Sequence, residues 1–105
     1  MQIFRIFSKM IGNIPASAIL EALDVECKML ADDVKHSRLN LTGDALSIFC
    51  FRGFVQMVKR GNVPHCSTHL PPEHIEFYKE TIIRLIQAEE LPSSSINEFD
   101  CAFIL

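Results

Sequence analysis

From Gln2 to Ile11 the apolar residues Ile3, Phe4, Ile6, Phe7, Met10 and Ile11 fall on one arc when spaced at about 100° per residue. Gln2, Arg5, Ser8 and Lys9 fall on the other. An extended strand would put apolar side chains on both faces, so this pattern predicts a helix. Gly12-Asn13 closes it and offers Asn13 as the next N-cap. A second helix is predicted from Ile14 to Lys35, with Pro15 tolerated in its first turn. Its main seam is Ala16, Leu20, Leu23, Cys27, Leu30 and Val34, in alternating steps of four and three. A second seam, Ala18, Ala22, Val25 and Met29, keeps the same rhythm, while Ser17, Glu21, Asp24, Lys28 and Asp32 lie opposite the first. Two seams predict a helix that touches partners on two sides.

A third helix is expected from an N-cap at Thr42 to Lys59-Arg60-Gly61. Leu46, Ile48, Cys50, Phe51, Phe54, Val55, Met57 and Val58 would wrap more than half of it, which marks it as central. Its remaining strip is Arg52, Gln56, Lys59 and Arg60, with Phe49 among them. After an irregular stretch, a fourth helix is predicted from Pro72 to about Leu91, burying Ile75, Tyr78, Ile82, Leu85 and Ile86. Pro92 stops it and Ser93-Ser94-Ser95 reads as a joint. Phe99, Cys101, Phe103 and Leu105 then alternate, which predicts an extended tail. The expected fold is all-α: a small four-helix bundle-like domain over residues 1–92, followed by a Ser-rich joint and extended apolar tail over 93–105. Leu23, Leu30, Phe51, Phe54, Val55, Ile82 and Ile86 are expected in its core.

Composition narrows the function classes. The 105 residues suffice for one domain, and 49% hydrophobic with 22% charged residues is the make-up of a folding chain, not a disordered one. The net charge of −3 divides into +2 over residues 1–60 and −5 over 61–105, which weighs against broad binding to nucleic-acid phosphates. The four cysteines are dispersed and no secretory leader precedes them, so a reduced, cytoplasmic protein is expected. No apolar run approaches the ~18 residues that span a bilayer. Cys101 lies one place too early for a prenylation box, and Arg5 and Lys9 alone attract anionic lipid weakly. No membrane partner is expected.

Four chemistries remain to be weighed. His65, Cys66, His69 and His74 are donors of the kind zinc prefers, with Cys66-x-x-His69 as a two-ligand hook. No second Cys-x-x-Cys and no His-Glu-x-x-His accompanies them, so a polar interhelical loop is the stronger reading and neither metal nor cofactor is expected. Cys66 beside His65 and His69 supplies nucleophile and base types, but neighbours in sequence seldom converge on a substrate, and no nucleophile motif surrounds them. The chain reads as non-enzymatic. The strip of Arg52, Gln56, Lys59 and Arg60 is the best nucleic-acid candidate, yet its helix lacks the short following turn of a helix-turn-helix. Surplus apolar surface is the strongest signal. Ala18, Ala22, Val25 and Met29, together with Phe49 and Phe77 on the polar sides of their helices, predict an interface with a protein partner or a second copy.

Overall fold

The computed structural model describes residue 9 and residues 11–36, 43–62 and 68–104. Most of the first expected helix and the Thr42 cap therefore lie outside the described residues. Helix α1 is Ile19–Lys35, α2 is Gly43–Lys59, α3 is Pro72–Gln87 and α4 is Ser95–Ala102. Two short strands, β1 (Thr68–His69) and β2 (Phe103–Ile104), pair in parallel. The fold is all-α, with this strand pair as a minor addition. The chain groups into two compact units, Met1–Arg52 and Gly53–Leu105, and the boundary falls within α2.

In the first unit Lys9, Ile11 and Gly12 are helical, and Ile11, at the end of the apolar arc, is fully buried. The next helix does not start at Ile14, and Asn13 lies in a turn. Pro15 is extended at φ −65°, ψ 153°, and its carbonyl accepts the Ala18 N–H at 2.9 Å, which closes a three-residue 3-10 turn over Ala16–Ala18. Only then does the α-helical pattern begin. Ile19, Leu23, Cys27 and Leu30 form the buried face of α1, whereas Ala16, Leu20 and Val34 of the expected seam are half-buried. The buried line is thus rotated toward Ile19.

Two contacts set the direction of α1 against the first part of α2. The Cys27 thiol donates to the Ile48 carbonyl at 3.9 Å, and Arg52 Nε donates to Asp24 Oδ1 at 2.9 Å. The lower position on α1 meets the higher one on α2, so the two segments run antiparallel. Ala45, Ser47, Ile48 and Phe51 are buried, but Leu46 and, in the second unit, Met57 are exposed. The apolar surface of α2 is therefore less completely covered than its sequence predicts. His36 closes α1: its N–H and its ring Nδ1 both donate to the Asp32 carbonyl, at 3.1 and 2.8 Å.

In the second unit α2 ends in a Schellman turn. Asn62 N–H donates to the Met57 carbonyl at 2.9 Å, Gly61 N–H to that of Val58 at 3.1 Å, and Gly61 takes φ +79°. The end of α3 repeats the arrangement, with Glu90 N–H on the Leu85 carbonyl at 2.9 Å and Glu89 N–H on that of Ile86 at 3.0 Å. Here the left-handed position, φ +62°, is held by Glu89. This turn stops α3 at Gln87, short of the expected Leu91.

The expected extended tail is corrected: Ser95–Ala102 is helical, and only Phe103–Ile104 is a strand. Ser95, Phe99 and Ala102, at i, i+4 and i+7, supply the buried side of α4. That helix packs on α3, with Lys79 Nζ 3.3 Å from Asp100 Oδ1. Phe54, Phe99 and Phe103 form an aromatic trio with ring centroids 4.9 to 5.6 Å apart, tilted or edge-on. The strand partner of Phe103 is Thr68. Six of the seven expected core residues are buried, and Ile86 is half-buried.

Candidate interaction surface

The buried face of α1 fixes what the rest of that helix can present. With Ile19, Leu23, Cys27 and Leu30 turned inward, positions three and four apart on the opposite side reach solvent. Val25 is 50% exposed and Met29 61%. Ala18 and Ala22, which continue their line toward the N-terminus, are half-buried. All four expected residues of the second seam therefore share one stripe, with its accessible area concentrated at Val25 and Met29.

That end of the stripe borders a shallow, open groove of about 490 Å³, lined among the described residues by Val25, Lys28, Met29, Ala31, Asp32 and Lys35. Ala31 and Lys35 were not part of the sequence-predicted surface. The spacing 28, 31, 32, 35 is itself a helical stripe and could have found them. The groove carries cations at Lys28 and Lys35 with Asp32 between them. The Asp32 side chain is exposed, with Oδ1 3.5 Å from His36 Nδ1.

Phe49 and Phe77 complete the expected interface set. Phe49 is half-buried in the first unit. Phe77 is half-buried in the second, its ring 5.7 Å from that of Tyr78. Neither is the fully exposed aromatic that its phase on the helix predicts.

His65 and Cys66 lie outside the described residues, and of His69 only the backbone, in β1, is described. His74 is 3% exposed in the first turn of α3, with its ring 6.3 Å from Tyr78. The expected polar loop residue is thus a core residue. Among the described residues no group of three or more His, Cys, Asp or Glu is placed to hold a metal ion. On the basic strip of α2, Arg52 is engaged by Asp24, Gln56 is half-buried, and Lys59 and Arg60 are exposed.

Burial also shapes one thiol and one carboxylate. Removal from water pushes the Cys27 thiol up to about 12, against a smaller opposing pull from Arg52. It stays protonated and serves as a small core side chain. Glu26 is half-buried on α1, and desolvation raises its carboxyl above the usual range. No helix among the described residues is long and apolar enough to cross a membrane. Comparison of the chain with protein families, curated proteins and solved structures finds no match.

Proposed function

We propose that this chain is a small, non-enzymatic helical protein of the cytoplasm that works through protein–protein contacts, as a regulatory or adaptor protein or as a homodimeric module. The observation that carries the reading is the exposure of Val25 and Met29 side by side on a helix whose opposite face is fully committed to the core. Adjacent large apolar side chains cost little in water singly, but together they supply area that a partner can bury. Ala31 and the stems of Lys28 and Lys35 extend that area, and the charged ends fix orientation.

Replacing Val25 and Met29 together by Glu tests the reading. On a docking face the variant keeps its helical circular dichroism and its midpoint in urea, because both positions already face water. A loss of more than about 2 kcal/mol, the scale of a buried apolar site, would show that this stripe belongs to the interior and would end the docking reading.

A further inference from the structure

The charges along α1 identify what its apolar stripe docks on. Lys28 and Asp32 are one helical turn apart on the groove, which Met29 and Ala31 also line. We propose that the occupant of this face is a second copy of the chain, laid antiparallel across a two-fold axis so that Lys28 of each copy faces Asp32 of the other. The proposal rests on the docking reading above and names its partner.

The register follows from the sequence of the face. In a parallel pair every residue meets its own copy, which sets Lys28 on Lys28 and Asp32 on Asp32. An antiparallel pair centred at the level of Leu30 removes both clashes and creates two opposite-charge pairs. At a rise of about 1.5 Å per residue, Met29 then lies within about 2 Å of the axis level on each copy, so the two thioether chains meet at the centre. Val25 falls at the level of Lys35 of the other copy, whose methylene stem can cover it while the ammonium reaches water. Shifting the centre to the level of Lys28 would bring Lys28 onto Lys28 and Asp24 onto Asp32, so the charge pattern disfavours that neighbouring register. One helical face buries less than the roughly 800 Å² per partner of a standard interface, so the dimer is weak and concentration-dependent.

Charge exchange provides the test. Sedimentation equilibrium at low salt should show a monomer–dimer equilibrium for the full chain. Lys28→Asp alone and Asp32→Lys alone should each associate at least about tenfold more weakly, since each sets like charges face to face twice. An equimolar mixture of the two single variants should recover association, as should the chain carrying both substitutions. Both positions are exposed, and circular dichroism verifies that each variant is folded. A wild-type chain that stays monomeric up to about 1 mM, the weak end of specific affinities, overturns the proposal. So do single variants that associate normally, or a mixture that fails to recover. If Val25→Glu/Met29→Glu abolishes association while the charge exchanges have no effect, the docking face stands and this register falls. If that variant is as stable as wild type and wild type never self-associates, the second copy is excluded as partner and the docking face remains. If that variant instead loses stability, the docking reading fails, and this proposal with it.

Discussion

The two compact units bury their apolar side chains in different ways. In the first, α1 commits an aliphatic line of Ile19, Leu23, Cys27 and Leu30 to the core and leaves Val25 and Met29 in water. In the second, two segments far apart in sequence converge on the trio of Phe54, Phe99 and Phe103, and the chain returns as β2 to pair with β1. The second unit buries these three rings against one another, and its exposed large apolar residues, Met57 and Ile83, lie on different helices. The first retains an apolar stripe, and the proposed docking face lies there. Apolar content alone does not distinguish interior from interface; which side of the helix has already been buried does.

Core truncation should have the largest effect and test the comparison most directly. Phe99→Ala removes a ring that touches both other members of the trio and should cost about 3–5 kcal/mol, with Leu23→Ala in the first unit costing about 2–5 kcal/mol. Met29→Ala, in the same helix as Leu23, should change stability by no more than about 0.5 kcal/mol. Urea unfolding followed by circular dichroism measures all three, and a Met29 effect as large as that of Leu23 would erase the distinction between the two sides of α1.

A smaller effect is expected at the end of α3. Gly61 and Glu89 hold the same left-handed position in two Schellman turns, at φ +79° and +62°. Glu pays a steric cost there that Gly avoids. Glu89→Gly should therefore stabilise the chain by up to about 1 kcal/mol, while Gly61→Ala should destabilise it by a similar amount. Thermal melts of the two variants should move in opposite directions.

The smallest effect is a pH slope in the first unit. Burial raises the folded-state pKa of Glu26, so the folded chain holds this proton more tightly than the unfolded chain does. The resulting stabilisation is fully present below the ordinary carboxylate value and is lost as pH rises through the raised one. Glu26→Gln should remove that part of the pH dependence and gain on wild type as pH rises from below the ordinary carboxylate value through the raised one. Parallel urea titrations across this range would reveal an unchanged slope if Glu26 is not its source.

Much of this was legible in the chain. Leu23, Cys27 and Leu30 repeat strongly enough to fix the phase of α1 over several turns, and Val25 and Met29 were readable as a separate stripe for the same reason. The α4 helix was not, because two turns give little periodicity and the alternation of Phe99, Cys101 and Phe103 matches a strand equally well. Its helical signal, Ser95, Phe99 and Ala102, includes a serine whose buried Oγ has no hydrogen-bond partner among the described residues, and a serine in that place argues against burial. His74 was hidden in the same way: a polar residue in the first turn of a helix reads as solvent-facing, whereas its side chain is buried near Tyr78. Such burial depends on tertiary neighbours that local patterning does not encode.

The aromatic trio also bears on the order of events in folding. Phe54 and Phe103 are about fifty positions apart along the chain, so bringing them together closes a long loop and costs entropy before any ring contact repays it. The turns of α3 and the cap at Gly61 need only near neighbours and can form without that closure. The second unit should therefore form its helices early, with the closing of that loop as the slow step of folding. On that reading weakening the Phe54–Phe103 contact slows folding more than it speeds unfolding.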